Sequence, residues 1–321
     1  MSESKSQPQK SASQQVSTLG GFIAGGLAAC GAVTFTNPIE LVKTRMQLQG
    51  ELSLTATKVY TNPGQALVKI YKNEGIRGLQ KGLFCAYVYQ IGLNGCRLGL
   101  YEPVRNAANS IFFPSQDPAT VQSVPVNVIA GAVSGMAGAV IGSPLFLIKT
   151  RMQSYTSSGP AVGDQTHYKN TWDGLKQIVQ KDGFKGLFRG VDAAIIRTGM
   201  GSSVQLPIYN YVKHFLQRHD LVKEGPALHL CSSVCAGLGV GVVMNPGDVV
   251  LTRMYNQKGH SNYKGPIDCF VKTVKAEGPG ALYKGFGAQL LRIAPHTVLT
   301  LTFMEQTMGL MRRLEQDVFK L

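Results

Sequence analysis

Pro38-Ile39-Glu40-Leu41-Val42-Lys43-Thr44-Arg45 closes a run of small and apolar residues that begins at Gly20. The same arrangement returns at Pro144-Leu145-Phe146-Leu147-Ile148-Lys149-Thr150-Arg151, and again at Pro246-Gly247-Asp248-Val249-Val250-Leu251-Thr252-Arg253. The steps are 106 and 102 residues. Recurrence at a near-constant step marks a chain built from stacked copies of one unit. The repeats fall at 18–112, 120–220 and 226–312, with a polar tail at 1–17 and a short tail at 313–321.

Other features keep the same register. Ala24-Gly25-Gly26, Ala130-Gly131-Ala132 and Ser232-Ser233-Val234 stand at equal distances before the prolines. Small residues there let helices approach closely in lipid. After each proline comes a polar loop, then a short amphipathic piece: Tyr60 to Glu74, Tyr168 to Asp182, Tyr263 to Glu277. An acid-glycine pair closes each piece, and a further glycine (Gly82, Gly190, Gly285) follows seven residues later. Each repeat therefore reads as helix, short surface helix, helix. Each proline is expected to bend its helix by removing a backbone hydrogen bond.

Composition agrees. Charged residues make up 16% of the chain, against about 25% in soluble domains. The net charge of +14 comes from scarce acids (18) rather than from dense basic clusters, which argues against a nucleic-acid partner. Apolar segments near 18–45, 82–107, 124–152, 190–215, 228–255 and 286–311 are each long enough to cross about 30 Å of hydrocarbon. Polar residues interrupt all six, as suits helices with one lipid-facing side and one wet side. The six cysteines lie mostly in apolar stretches without zinc-site spacing. No Cys/His dyad, carboxylate pair or phosphate loop supports an enzyme, and neither a metal nor a cofactor is expected. The N-terminal tail lacks the apolar core of a signal peptide and the arginines of a transit peptide.

Pro-x-[Asp/Glu]-x-x-[Lys/Arg]-x-[Lys/Arg], then [Asp/Glu]-Gly and aromatic-[Lys/Arg]-Gly, resembles the signature of the mitochondrial carrier family, over about residues 18–312. Tyr89–Gly95, Gly142–Leu147, Tyr255–Gly259 and Arg292–Thr297 carry a closer likeness to members that transport oxaloacetate and related dianions. The resemblance implies an all-α membrane protein of six transmembrane helices in three repeats with pseudo-threefold symmetry and short matrix helices. It implies an inner-membrane carrier, both termini toward the intermembrane space, functional as a monomer, with alternating access to one central site. Its expected cargo is a small dianion such as a dicarboxylate or sulfate. Cardiolipin is the expected lipid, held at Gly82, Gly190 and Gly285, where free helix amides attract phosphate.

Carried over from the family, the matrix gate pairs Glu40 with Lys149 and Asp248 with Lys43. The third junction joins Phe146 to Leu251. Both partners there are neutral together, and an apolar pair is tolerated where a single stranded charge is costly. Gln47, Gln153 and Tyr255 stand where family members brace these pairs. Arg45, Arg151 and Arg253 are expected to line the matrix mouth. On the cytoplasmic side Tyr101-Glu102 and Tyr209 with Lys213 retain the family pattern, leaving Glu102–Lys213 as the surviving ion pair.

The glycine that opens each even helix serves as a ruler. Seven residues on stand Tyr89, Arg197 and Arg292; fifteen on stand Arg97, Gln205 and Thr300. These layers are roughly 12 Å apart and turned by only about 80°, so both can face one cavity. An arginine at such depth needs water or a partner, at a cost otherwise of at least about 2.5–3.5 kcal/mol. The even helices offer no acid at that level, so the expected partner is the substrate, through bidentate contacts. Backbone carbonyls and helix ends are the alternative holders. The family's contact points fall on Arg197-Thr198 and Arg292. Tyr89, Gln90, Asn94 and Gln205 are candidate donors to a carbonyl or hydroxyl. His296 is either a structural residue or a group that couples a proton to the anion. An anion channel or proton leak through the same barrel is the competing class.

Overall fold

Polar loops separate nine long or short helices in the computed structural model, which describes residues 18–52, 59–114, 123–158, 161–219, 225–258 and 262–318. In the first repeat α1 (Thr18–Leu48) leads to surface helix α2 (Pro63–Leu79) and returns as α3 (Leu83–Phe112). The second repeat runs α4 (Val124–Ser154), α5 (Thr171–Asp182), a 3-10 turn, then α6 (Val191–Arg218). The third runs α7 (Pro226–Asn256), α8 (Pro266–Glu277), a 3-10 turn, then α9 (Phe286–Val318). Among the described residues there is no strand. The chain is an all-α membrane protein of three repeats. The N-terminal tail and residues 319–321 lie outside the described residues.

Within each repeat the first long helix (α1, α4 or α7, the odd membrane helices) packs on the second (α3, α6 or α9, the even ones). Between repeats α3 packs on α4, α6 on α7 and α9 on α1, which closes the ring. Gly31 lies so close to Phe303 that an added Cβ would come within 2.9 Å of its ring. Large apolar side chains such as Leu27, Phe35, Ile141 and Leu291 are exposed on the outside, while polar and charged ones turn inward, as a lipid-facing bundle requires.

Pro38, Pro144 and Pro246 do not end their helices. α1, α4 and α7 each continue ten residues beyond the proline. Among the described residues three helices are both long and apolar enough to cross a membrane, in the segments Gly20–Leu48, Pro125–Ser154 and Val234–Asn256. The six segments are thus not alike. α3, α6 and α9 have 30, 28 and 33 residues, enough for a span. Their charged residues, Arg197 and Arg292 among them, lower the hydropathy because they serve the interior of the bundle.

The surface helices start where the sequence provides a cap. The Asn62 and Asn170 side chains accept from the backbone N–H of Gln65 and Asp173, at 2.8 and 2.9 Å, satisfying one free amide of each first turn. Gly82, Gly190 and Gly285 then take φ of +74, +79 and +77, the left-handed region that favours glycine. Each also abuts the next odd helix. A Cβ at Gly285 would stand 3.0 Å from Gln47 Cγ and 3.1 Å from the Lys43 carbonyl oxygen, whereas at Gly82 the nearest atoms are 3.4 Å away. Gly285→Ala should therefore lower the melting temperature more than Gly82→Ala. The left-handed backbone alone costs both about 1–2 kcal/mol, and only Gly285→Ala also pushes against backbone. Equal shifts in a detergent thermal-stability assay would contradict this.

Candidate substrate site and gates

Two acids and four cations converge where α1, α4 and α7 approach each other. Lys149 Nζ lies 2.7 Å from Glu40 Oε1, and Lys43 Nζ lies 2.6 Å from Asp248 Oδ2. Each pair joins two repeats and is largely buried. These are the partners expected from the sequence. Above them sits a cavity of about 260 Å³. Its lining includes Glu40, Lys43, Tyr89, Gln90, Phe146, Lys149, Arg197, Asp248, Leu251, Arg292 and His296.

The two arginines correct one expectation. They do have acidic partners at their level, supplied by the neighbouring odd helices. Arg197 Nε donates to Asp248 Oδ1, and Arg292 Nη2 stands 3.8 Å from Glu40 Oε2. An arginine side chain is long enough to reach an acid on the adjacent helix, which a reading of its own helix does not reveal. Asp248 is thus shared between Lys43 and Arg197, and Glu40 between Lys149 and Arg292. The Arg292 contact is the looser one: its Nε is buried without a hydrogen-bond partner, and so is Glu40 Oε2.

The third junction carries no charge pair. Phe146 stands between the rings of Tyr89 and Tyr255, with centroids 5.1 and 5.4 Å away. Lys149 Nζ lies 5.5 Å from the Phe146 centroid, within cation–π range. Leu251 belongs to the buried cluster against which Phe146 packs. The junction is therefore a cluster of edge-on and tilted aromatic rings with Leu251 beside it rather than a simple Phe–Leu pair.

Gln47 and Gln153 bridge repeats, but not through the ion pairs. Thr252 Oγ1 donates to Gln47 Oε1 at 2.7 Å, and Thr44 Oγ1 to Gln153 Oε1 at 3.1 Å. In the third repeat the Tyr255 hydroxyl meets Ser143 Oγ at 3.0 Å.

Arg45, Arg151 and Arg253 do not line an open mouth. They are 0%, 3% and 0% exposed. Arg45 Nε donates to the Gln153 carbonyl, Arg151 Nε to that of Tyr255, and Arg253 Nε to that of Gln47. Each thus caps the carbonyl end of the next odd helix, where free acceptors and the dipole favour a cation. Arg45 also pairs with Glu74, and Arg253 with Glu277. Burial pushes both carboxyls upward, but hydrogen bonds from Arg45 and Lys81, and from Arg253 and Lys284, outweigh it and leave them below the usual range. Asp182, one methylene shorter, pairs with Arg189 instead, and Arg151 finds the Tyr168 hydroxyl at 3.1 Å. The threefold recurrence of these arginines was the available signal; their burial was not legible from it.

Thr198 lies beside Arg197 in a small recess next to the cavity, its hydroxyl donating to the Ala194 carbonyl at 2.8 Å. The side chains of Asn94, Arg97 and Gln205 lie outside the described residues. At the opposite end Tyr101 stacks near Arg105, at 5.9 Å from its ring centroid. Tyr209 is on α6. Among the described residues no ion pair joins Glu102 to Lys213, although both lysine–acid pairs at the other end are made.

A three-repeat helical bundle with a charged central cavity and paired residues at one end defines a membrane transporter. The chain belongs to the mitochondrial carrier protein family, whose model matches residues 14–111, 121–220 and 222–315. It is 64% identical over 317 residues to the mitochondrial oxaloacetate transport protein of Saccharomyces cerevisiae, covering 99% of this chain and 97% of that one. The protein of the same name from Schizosaccharomyces pombe is 53% identical, over 94% of this chain and 95% of its own length. The mitochondrial citrate transporter E of Aspergillus niger is also 53% identical, over 93% and 95%.

Proposed function

We propose that this chain carries oxaloacetate and related small dianions, dicarboxylates and sulfate among them, across the mitochondrial inner membrane by alternating access. The observation that carries the reading is the charge of the cavity. Lys43, Lys149, Arg197 and Arg292 face only Glu40 and Asp248, an excess of two positive charges that one dianion neutralises. In this reading Arg197 and Arg292 hold the carboxylates or sulfate. Thr198, Tyr89, Gln90, Asn94, Gln205 and Arg97 orient the anion. Glu40–Lys149, Asp248–Lys43 and the Phe146 junction form the matrix gate, with Gln47, Gln153 and Tyr255 as braces. Glu102, Lys213, Tyr101 and Tyr209 form the cytoplasmic gate. Both termini face the intermembrane space, the monomer is the working unit, and no reaction is catalysed.

The deciding measurement is uptake of labelled oxaloacetate into liposomes. Unlabelled dicarboxylate inside should accelerate it, because an exchanger returns faster loaded than empty. Uptake that neither saturates nor responds to internal substrate would point to a leak through the barrel. A dicarboxylate/phosphate or oxoglutarate-type exchanger is the second reading. The similarity to a citrate transporter, equal to that shared with the Schizosaccharomyces pombe protein, favours testing tricarboxylates alongside.

The cytoplasmic gate gives a separate prediction. Glu102→Lys should reduce uptake several-fold by placing two cations opposite each other, and adding Lys213→Glu should restore part of it. No recovery in the double variant would remove this pair from the gate. Cardiolipin at Gly82, Gly190 and Gly285 is also part of this reading. Its support is the free amides at the even-helix starts and a groove beside Gly82 lined by Lys81, Lys169, Asn170 and Trp172.

A further inference from the structure

We propose that His296 is the proton-accepting group of the central cavity, taking a proton at Nε2 when a dianion binds. The inference rests on the reading of this cavity as a dianion site and adds to it a residue and a coupled ion.

His296 lines the cavity one helical turn beyond Arg292 on α9. Thr36 and Glu40 face them from α1 with the same spacing, so the two helices meet as a ladder: Thr36 against His296, Glu40 against Arg292. Thr36 settles the tautomer of the neutral ring. Its hydroxyl proton goes to the Ala32 carbonyl at 3.0 Å. Its oxygen can therefore only accept in the 3.3 Å contact with His296 Nδ1, so Nδ1 carries the ring proton. Nε2 is left as a lone-pair acceptor, and among the described residues no group donates to it.

The groups facing the ring are Arg292 on its own helix, Glu40 on α1 and Lys149 on α4. Two cations and one acid thus surround the ring while the cavity is empty. A bound dianion brings two negative charges to the same place and reverses that balance. Protonation and anion binding then favour each other by the same factor, as linkage requires. The proton comes from water on the loading side, resides on Nε2 opposite the anion, and returns to water when the anion leaves. No covalent bond forms, and one negative charge net crosses with each anion. The feature belongs to one repeat only. Leu93 and Gly201 stand at the corresponding positions of α3 and α6, so a single ring titrates per cavity.

The test uses liposomes with labelled sulfate and, separately, labelled oxaloacetate, both dianions from about pH 8 to about pH 6, the range in which histidine titrates. Any dependence on pH then belongs to the protein. Wild-type uptake should rise several-fold as pH falls, with acidification of a trapped dye. His296→Asn keeps an amide N–H for Thr36 at the Nδ1 position and cannot titrate. Whatever its level of uptake, it should lose both the rise and the proton signal. Wild-type behaviour in the variant would overturn the proposal. If the variant does not insert, calorimetry of sulfate binding to the wild-type protein, in two buffers of different ionisation heat, decides. About one proton taken up per anion is expected from the linkage, and none would overturn it. Absence of any uptake or binding by the wild type would instead refute the dianion reading itself.

Discussion

Arg197→Ala and Arg292→Ala should each abolish oxaloacetate uptake, and only the first should also destabilise the protein. Either change halves the cavity's excess positive charge and removes a guanidinium from the anion. Truncating one partner of a buried, hydrogen-bonded charge pair costs about 3–5 kcal/mol, so a loss of at least about 100-fold is expected. The stability difference follows from geometry. Arg197 Nε is hydrogen-bonded to Asp248, an acid 3% exposed. Arg292 stands 3.8 Å from Glu40, which keeps Lys149 at 2.7 Å. Either loss leaves a lysine–acid pair behind, but only loss of Arg197 also strips a hydrogen bond from its acid. Arg197→Lys should recover a minor part of the uptake, since lysine restores the charge but not the planar fork. Near-normal uptake by either alanine variant would remove that arginine from the substrate site. Equal losses of melting temperature would contradict the unequal sharing of the two acids.

Charge reversal at the matrix gate should be nearly as damaging, and its rescue should be unequal. Lys149→Glu places two acids together at the Glu40 junction, and Lys43→Asp does so at Asp248. Each should reduce exchange by about 100-fold, on the same cost of an uncompensated buried charge. Exchanging both partners restores an ion pair in each case but alters what the arginine meets. In the Glu40→Lys/Lys149→Glu variant the new lysine lies 3.8 Å from the position of Arg292, a loose contact. In the Lys43→Asp/Asp248→Lys variant the new lysine meets Arg197 directly. Recovery should be substantial in the first and small in the second, read as labelled exchange in liposomes. Full and equal recovery would mean that the arginines leave the acids during transport. If Arg197 and Arg292 hold the anion, as proposed, binding removes one cation from each of Glu40 and Asp248 and leaves each acid with a single lysine.

Much of this was legible in the sequence because the chain states it three times. One Pro-x-acid-x-x-base would be weak. Three in register locate the odd helices, the surface helices and the glycines at 82, 190 and 285. The lysine–acid partners came from the resemblance to the carrier family, laid onto these three copies. The neutral third junction follows because Phe146 and Leu251 lost charge together. The candidate arginines at 197 and 292 follow from counting along α6 and α9.

What the repeats could not state was where long side chains end. Counting places a Cα on a helix face; it does not say whether a guanidinium reaches the cavity, a gate acid or a carbonyl on the next helix. Arg197 and Arg292 accordingly reached acids that their own helices lack, and Arg45, Arg151 and Arg253 turned from expected mouth residues into buried caps. Gln47 and Gln153 met threonines instead of the ion pairs, and Phe146 met Tyr89 and Tyr255 before Leu251. The order of the elements and the signs of the charges were determined by the sequence alone, since both follow from period and composition. The sharing of each gate acid between a lysine and an arginine was decided only by the tertiary structure. It depends on distances between side-chain tips of different helices, and local sequence carries no measure of those.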